Sequence, residues 1–361
     1  MTLRKYFKSM INNIIYTTNI AESIDKLLQG KEYDKLFILT DENTHKFAMP
    51  LLCDSKKCKE AKEIIILSDD INKNLENLTS IWNVLVKEGA TRKSLLINLG
   101  GGMVTDMGGF AAATFKRGIE HINIPTTLLG AVDAAVGGKT GINFAGLKNE
   151  IGAFKQPSAV VIDTRFFKTL SKEHLLSGFA EMLKHGLISN GESYNKLIAF
   201  DICNPNYEEL LNLVADSVSI KENIVEQDPL EKGIRKYLNL GHTSGHAIES
   251  LAMKRNTPVQ HGYAVAWGLV CEAILSYMKF GFSQTEIHRL VDYVKANYGA
   301  FPITCDDYAY LYEKITHDKK NESGRINYTL LKAVGEVEIN VSVTKEEVES
   351  SFDLYRDLFG L

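Results

Sequence analysis

The first half of the chain alternates short apolar runs with longer stretches in which apolar residues recur at helical spacing. Five runs, each flanked by polar residues or glycine, predict strands at 35–40, 63–67, 94–100, 121–125 and 159–163. A helical pattern, "LENLTSIWNVLVKEG", covers 75–89 between two of these runs. Strands that are apolar on both faces and alternate with helices are typical of a parallel sheet covered by helices. The pattern therefore predicts a Rossmann-like α/β domain.

The second half of the chain has a different pattern of apolar residues. After about residue 167, apolar residues recur with helical spacing at 174–188, 207–227, 261–281 and 285–299. A late segment, "INYTLLKAVGEVEINVSV", has a β pattern. Because 361 residues are more than one ordinary core holds, we expect two domains. We predict an N-terminal α/β parallel-sheet domain over 1–167 and a mainly α-helical domain over 168–361, with the active site in the cleft between them.

Composition narrows the class of protein. Hydrophobic residues make up 45% and charged residues 24%, which are ordinary globular values that exclude disorder. A net charge of −4 argues against nucleic acid as the main partner. Five cysteines without a CxxC pair, and no signal-peptide pattern, indicate reduced thiols in a cytoplasm. The longest apolar stretch is interrupted by Glu272 and is shorter than a membrane span, so we expect a soluble protein without a membrane partner.

A glycine-rich turn follows the third predicted strand in "INLGGGMVTDMGGFAA" (97–112). Consecutive glycines at 100–102 let the backbone approach a bulky anion, and the helix that follows offers free N–H groups to a phosphate. Asp41 ends one predicted strand, and Thr126 and Thr127 end another. Polar groups at several strand ends predict a dinucleotide along that edge of the sheet. The alternative is that Asp41 and Thr126 are only turn and cap residues.

Charged and amide side chains are frequent in and around the Gly-rich segment 131–157, at positions that the pattern assigns to strands or loops. The members of this set are Asp133, Lys139, Lys148 and Asn149, with Arg117 before the segment and Glu231, Arg235 and Asn239 much later. A substrate with both a carboxylate and a phosphate needs about this number of polar partners. Solvated loop side chains are the alternative.

Three of the nine histidines are close in sequence. His242 and His246 are four residues apart, on one face of a predicted helix, and His261 opens "HGYAVAWG". Glu181 lies on another predicted helix, with Lys184 one turn later. Zinc in a catalytic site takes three nitrogen or oxygen ligands, so Glu181 with two of the three histidines would serve. Otherwise the histidines share a helix face by chance.

Seven motifs, which run in order from about residue 37 to residue 325, carry a resemblance to a known family. They are "GGGMVTDMGGFAAATFKRGI", "IPTTLLGAVDAAVGGKTGIN", "KNEIGAFKQP", "SGFAEMLKHGLI", "DPLEKGIRKYLNLGHTSGHAIE", "HGYAVAWGL" and "HDKKNESG". Their order and spacing resemble the 3-dehydroquinate synthase family of the sugar phosphate cyclase superfamily.

The resemblance implies a zinc site, or a cobalt site, formed by Glu181, His242 and His261 in a helical domain that also binds substrate. The residues that it implies to act on the substrate are His246, Lys139, Lys184, Glu231, Arg235 and Asn239. Those that it implies to bind the substrate are Asp133, Lys148, Asn149, Arg117 and one of Lys319 and Lys320. His246 would contact substrate and take part in proton transfer.

The resemblance also implies that the α/β domain binds NAD. The contacts fall on Asp41, Asn43, Asp70, Lys73, Gly101, Gly102, Met103, Val104, Asp106, Thr126 and Thr127, together with Lys139 and Lys148. Asp70 and Lys73 keep the spacing of the family's Gly-Glu-x-x-Lys motif, with Asp69 in place of the glycine.

The reaction implied by the resemblance converts 3-deoxy-D-arabino-heptulosonate 7-phosphate to 3-dehydroquinate and phosphate, a step of the shikimate pathway to aromatic amino acids. It runs through transient oxidation by NAD, phosphate elimination, re-reduction and intramolecular aldol closure. The resemblance further implies a homodimer in which Arg117 reaches the phosphate at the partner's site.

Three other functions compete with this hypothesis. Another sugar phosphate cyclase would share the fold, but Lys148, Asn149 and Arg235 suit a substrate that bears a carboxylate. A metal-dependent polyol dehydrogenase would produce NADH in net amounts. A scaffold protein without activity is disfavoured, because no predicted ligand or basic position is missing from the sequence.

Overall fold

The computed structural model describes residues 13–316 and 326–361. The described residues form two compact units. The first ends at Ser171 and also takes in Asn206–Val218, and the second comprises Lys172–Pro205 and the chain from Ser219 onward. The predicted boundary after residue 167, with a separate role for each domain, stays a prediction, because packing alone does not show what each unit binds.

The first unit is built on a parallel sheet. Its strands are Ile14–Thr17 (β1), Leu36–Asp41 (β2), Lys62–Ile66 (β3), Leu95–Gly100 (β4), Glu120–Pro125 (β5), Lys139–Phe144 (β6), Leu147–Phe154 (β7) and Ala159–Asp163 (β8). Six of them form one sheet in the order β1-β8-β5-β4-β2-β3, and every pair in it is parallel. The five predicted strands are confirmed as β2 to β5 and β8, and the predicted α/β parallel-sheet class is confirmed with them.

Helices cover the sheet. Those of the first unit are Ile20–Leu28 (α1), Glu42–Phe47 (α2), Met49–Leu52 (α3), Leu75–Lys87 (α4) and Gly102–Thr114 (α5). Leu78, Ile81 and Leu85 of α4 are fully buried in one core cluster with strand residues such as Leu39 and Leu96. Each such side chain contributes roughly 1.5–3 kcal/mol by its removal from water, so this layer fixes α4 and α5 against the sheet.

The Gly-rich segment before β8 is more ordered than a loop. Gly130–Ala134 is a turn of π-helix, so Asp133 lies in a helical turn rather than in the strand or loop that the pattern predicted. β6 and β7 form a separate antiparallel hairpin, and Lys139, Lys148 and Asn149 lie on its strands. The pattern missed this hairpin because its glycines interrupt the alternation of apolar and polar side chains.

The second unit is mainly helical, as predicted. Its helices are Lys172–Ser189 (α6), Gly191–Ala199 (α7), the later part of Tyr207–Gln227 (α8), His242–Lys254 (α9), His261–Phe280 (α10), Gln284–Tyr298 (α11), Tyr308–Thr316 (α12) and Lys345–Phe359 (α13). The late β pattern forms the antiparallel pair Asn327–Ala333 (β9) and Glu336–Ser342 (β10). Among the helices of the described ranges, none combines the length and the apolar character needed to cross a membrane.

Candidate active site

Three helices of the second unit bring the predicted metal ligands together: α6, α9 and α10. Their backbones meet at two glycines of α10. A Cβ atom on Gly262 would lie 1.9 Å from the backbone oxygen of Ser177 in α6. One on Gly268 would lie 2.0 Å from the backbone oxygen of Gly241, at the start of α9. No side chain fits between these backbones, which explains why glycine stands at both positions.

The close packing gathers one carboxylate and three imidazoles. Glu181 is fully buried on α6, and its Oε1 lies 3.5 Å from His242 Nε2 and 3.6 Å from His261 Nε2. His246 joins the group, since ligand atoms of the three histidines lie within 4.8 Å of one another. The structure therefore brings these residues together, as expected. Their roles as metal ligands and in proton transfer stay predictions.

The donor set fits a divalent metal ion. Glu181 Oε2 accepts from the ammonium group of Lys184, which is also buried, one turn along α6. Glu181 Oε1 is buried and accepts no hydrogen bond within the part of the chain that the structure describes. A buried carboxylate oxygen costs free energy unless it is paired, and a metal ion beside imidazole nitrogens supplies that pairing. Geometry alone leaves His246 as possible a ligand as the other two histidines.

Electrostatics reinforce this arrangement. Burial acts to raise the pKa of Glu181, but the neighbouring Lys184 ammonium and His242 outweigh it and hold the pKa well below its usual range. Burial acts to lower the pKa of His261, but the carboxylates of Glu181 and Glu249 outweigh it and raise the pKa to about 9. At neutral pH the cluster thus holds an ionised carboxylate, which is the state that binds a metal, and a protonated His261, which must lose a proton to bind one.

Two buried carboxylates that sequence reasoning missed surround the cluster. Glu249 Oε2 lies 3.3 Å from His261 Nδ1. Glu272 of α10 accepts the backbone N–H groups of Gly241 (2.5 Å) and Ser244 (3.0 Å), so it caps the start of α9 from another helix. The signals were present: Glu249 repeats the helical spacing of the two histidines of α9, and Glu272 is a charge within an apolar run.

Arg235, a predicted substrate residue of the second unit, is carried by a turn that Asp228 organises. Asp228 accepts the backbone N–H groups of Lys232, Gly233 and Arg235, and these hydrogen bonds hold its pKa below the usual range against the opposing effect of burial. Arg235 is buried and donates from Nη1 to the Pro229 carbonyl oxygen at 2.8 Å. Asp228 thus organises the backbone that carries Arg235.

Two more of the predicted substrate residues meet beside this turn. Asn239 Nδ2 donates to Glu231 Oε1 at 3.3 Å. Glu231 has a φ of 59°, a conformation that L residues seldom adopt without a compensating role.

The glycine turn of the first unit forms as the sequence predicted. Gly101 precedes α5, whose N-terminus has no side-chain cap. The Thr126 N–H donates to the Gly100 carbonyl oxygen at 3.0 Å, and Thr127 Oγ1 accepts from the Gly130 N–H at 3.0 Å. The ends of β4 and β5 therefore meet at the N-terminus of a 13-residue helix that has no side-chain cap, an arrangement that suits a phosphate.

Other predicted NAD contacts lie around this turn. Gly102 and Met103 in the first turn of α5 are partly exposed, whereas Val104 is fully buried and could meet a ligand only through its backbone. Asp41 Oδ1 accepts from the Thr44 N–H at 2.7 Å and caps α2, which is the structural alternative raised by the sequence. Asn43 is exposed in the first turn of α2. A ribose contact by Asp41 stays a prediction.

A second group of predicted residues converges between the hairpin and α5. The buried Lys73 ammonium pairs with Asp106 Oδ2 at 2.5 Å and donates to Asn149 Oδ1. Lys148 lies 3.5 Å from the Asp70 carboxylate. Residues predicted for the cofactor and for the substrate thus share one network within the first unit.

The backbone around this network has an unusual conformation. Asp69, which replaces the motif glycine, has a φ of 76° and a ψ of 146°, a region that is almost exclusive to glycine. Asp69 therefore adopts the backbone conformation that glycine would adopt at this position of the motif.

The remaining predicted residues are more separate. Arg117 is exposed, with a φ of 68°, between Lys116 at 50° and Gly118 at 121°. Lys139 is exposed at the start of β6, and Asp133 is half-buried. Lys319 and Lys320 lie outside the described residues.

Comparison with solved structures finds the same fold in other proteins. 2-epi-5-epi-valiolone synthase from Streptomyces hygroscopicus, with NAD+ and Zn2+ bound, is similar with a TM-score of 0.84 and 22% identity, over 97% of this chain and 98% of that one. A 2-deoxy-scyllo-inosose synthase complexed with carbaglucose-6-phosphate, NAD+ and Co2+ is similar with a TM-score of 0.82 and 22% identity, over 96% of both chains.

Sequence comparison gives the family. The model for the 3-dehydroquinate synthase N-terminal domain matches residues 63–177, and that for the C-terminal domain matches residues 178–321. A 3-dehydroquinate synthase of Parabacteroides distasonis is 53% identical over 348 residues, which cover 96% of this chain and 99% of that protein. The chain belongs to the 3-dehydroquinate synthase family, and the resemblance seen in the motifs is confirmed.

Proposed function

We propose that the protein is a carbon–oxygen lyase that converts 3-deoxy-D-arabino-heptulosonate 7-phosphate to 3-dehydroquinate and phosphate in the shikimate pathway. The observation that carries this proposal is the cluster of Glu181 and three histidines beside the buried Lys184, in a chain of this family. One oxygen of Glu181 would bind the metal, and the other accepts a hydrogen bond from the Lys184 ammonium. Positive charge placed in this way would stabilise negative charge that develops on a substrate oxygen.

We propose NAD and zinc, or cobalt, as the cofactors. Glu181, His242 and His261 would hold the metal, and the N-terminus of α5 with the ends of β2, β4 and β5 would hold the dinucleotide. Bound NAD+ would supply reversible hydride transfer, and the metal would supply Lewis-acid polarisation of a substrate hydroxyl. Solved relatives of the same fold that contain both groups support this assignment.

The chain's own residues would bind the substrate and move its protons. The Lys184 ammonium orients Glu181 through Oε2 and leaves Oε1 facing the histidines. Arg235, held by its hydrogen bond to the Pro229 carbonyl oxygen, carries a planar guanidinium of the kind that binds a carboxylate or a phosphate. His246, with its ring centroid 5.8 Å from that of His261, is placed to exchange protons beside the metal ligands.

A panel of substrates tests this function against its rivals. The heptulosonate phosphate with NAD+ and zinc should give dehydroquinate, identified by mass spectrometry. A hexose 6-phosphate, which lacks the carboxylate, should turn over at least about 100-fold more slowly, because loss of charge-assisted hydrogen bonds to the carboxylate costs about 3 kcal/mol. Faster turnover of the hexose phosphate would favour another cyclase, and turnover of simple polyols alone would favour a dehydrogenase.

We further propose that the enzyme works as a homodimer in a reducing cytoplasm. Large apolar side chains are exposed on the β6–β7 hairpin, at Phe144, Leu147, Ile151 and Phe154. Gly118, next to Arg117, lies near the end of this hairpin, since a Cβ atom there would be 3.7 Å from Lys155 Nζ. An apolar surface beside a strained, exposed arginine supports a subunit contact that includes Arg117. All five cysteines, which lie within the described ranges, are free thiols.

Mixing two inactive variants tests the role of Arg117. Loss of its contact with phosphate should cost about 2–4 kcal/mol, or roughly 30- to 1000-fold in rate. When Arg117→Ala and His242→Ala proteins exchange subunits, one site of each hybrid regains both groups, so activity should return. If native mass spectrometry shows hybrids but the mixture stays inactive, Arg117 does not serve the partner's site.

Metal binding should strengthen as the pH rises. In the metal-free protein the pKa of His261 is raised to about 9, because Glu181 and Glu249 outweigh its burial, so below that pH a metal must displace a proton. The apparent affinity should therefore rise roughly tenfold per pH unit from about 7 and level off above about 9. Titration with Co2+ at stepped pH measures this slope. An affinity independent of pH over that interval would contradict it.

A further inference from the structure

Glu249 makes a contact that the mechanism above does not use. It lies on α9 and is only 7% exposed. Its Oε2 is 3.3 Å from Nδ1 of His261, a residue of the neighbouring helix α10. On the other side of the same ring, His261 Nε2 faces Glu181 Oε1 at 3.6 Å. The imidazole of His261 thus lies between two carboxylates, one at each nitrogen.

The position of Glu249 is not explained by a role at the end of its own helix. It lies in the middle of α9, which runs from His242 to Lys254, so its charge gains nothing from a helix terminus. Removal of a carboxylate from water is costly unless it has a partner. The spacing of 242, 246 and 249 puts all three side chains on one face of the helix, the face toward the cluster.

A neutral imidazole has one nitrogen that donates and one that accepts. A carboxylate at Nδ1 keeps the proton on that nitrogen, so the lone pair of Nε2 points to the metal position. His242 has the same arrangement with a weaker acceptor, since its Nδ1 lies 3.1 Å from the Leu240 carbonyl oxygen. Such outer partners fix ring orientation and raise the basicity of the ligand.

We propose that Glu249 is a positioning residue of the metal site, which fixes the tautomer and the orientation of His261 through Nδ1. The inference rests on the proposed function in so far as the cluster binds a divalent metal. In this proposal Glu249 acts on the ring of His261 and not on the stability of α9. The variants below separate these two possibilities.

Equilibrium titration of the metal-free full-length protein with Co2+ tests the proposal, with the visible absorption of bound cobalt as the readout. Glu249→Ala should weaken Co2+ binding about 10- to 100-fold relative to the unchanged protein. Glu249→Gln, which keeps an acceptor oxygen but loses the charge, should fall between the two. Met253→Ala, which shortens an exposed side chain one turn further along α9, should bind Co2+ as the unchanged protein does.

A double-mutant cycle identifies the route of the effect. If Glu249 acts through His261, then Glu249→Ala should not weaken Co2+ binding further in a His261→Ala background. Equal weakening in both backgrounds would overturn the proposal, as would unchanged affinity in Glu249→Ala. If Glu249→Ala does not fold, as judged by circular dichroism, Glu249→Gln carries the test, and Co2+ affinity equal to that of the unchanged protein would overturn it.

The Co2+ titration also distinguishes an error in the proposed metal site from an error in the proposed role of Glu249. If the unchanged protein bound no Co2+, the proposed metal site would be wrong, and the role of Glu249 would be wrong with it. If the unchanged protein and all Glu249 variants bound Co2+ alike, the metal site would stand and only the role of Glu249 would be overturned.

Discussion

Glu181→Gln should abolish turnover and metal binding together. The substitution keeps the shape of the side chain but removes the charge that faces His242 and His261. Loss of the metal should remove at least about 4 kcal/mol of transition-state stabilisation, or roughly 1000-fold in rate. Metal analysis of the purified variant and an assay for phosphate release measure the two effects. A Glu181→Gln protein that retains one metal per chain and full activity would contradict the assignment.

The same substitution should also destabilise the fold, and a second variant separates the two effects. Lys184 is almost fully buried and pairs with Glu181, so removal of the carboxylate leaves a buried ammonium unpaired. That costs about 3–5 kcal/mol, whereas replacement of both partners by neutral groups costs much less. Glu181→Gln combined with Lys184→Met should therefore recover much of the free energy of unfolding in denaturant. It should not recover metal binding.

Gly262→Ala should disrupt the second unit at the point where the metal cluster is built. The added methyl group would lie 1.9 Å from the backbone oxygen of Ser177, and no side chain can move to relieve that contact. The backbone of α10 must shift away from α6, at a cost of about 3 kcal/mol or more. Because His261 precedes this glycine, we also expect the Co2+ affinity to fall. Urea denaturation and Co2+ titration measure these two losses.

Gly191→Ala provides the matched control. Gly191 is the first residue of α7, and a Cβ atom there would meet nothing within 4 Å. Alanine favours a helix over glycine by up to about 1 kcal/mol, so this variant should be neutral or slightly stabilised. If both variants lost the same stability, the close approach of α6 and α10 would not be what requires glycine at 262.

The sequence was most informative where local pattern and packing agree. Strands β2 to β5 and β8 were predictable because they are apolar on both faces, as a covered parallel sheet requires. The strand β1 was missed because its four residues carry too little pattern, and it joins the sheet only through β8. The β6–β7 hairpin was missed because its glycines, such as the paired Gly141 and Gly152, interrupt the alternation of apolar and polar side chains.

Some residues of the candidate site could be predicted from the sequence, and others could not. Helical spacing predicted that Glu181 would meet two of the three histidines, and the family resemblance implied His242 and His261. All four side chains converge. Glu249 and Glu272 were not predicted, because the partners that they contact lie on other helices, and the spacing of Glu249 indicates only the helix face on which it lies. For Asp41 the predicted position at a strand end was correct. The contact that the structure shows is a cap on α2, whereas the predicted contact was with a ribose.

The most direct test of the proposed reaction is its stoichiometry with respect to NAD. The enzyme, loaded with zinc, would receive the heptulosonate phosphate in large excess over NAD+, and phosphate and NADH would be followed together. Because the hydride is returned within each cycle, phosphate should far exceed the NAD+ supplied, and the absorbance of NADH should not accumulate. Phosphate release that stops at the amount of NAD+, or NADH that rises in step with product, would contradict the account.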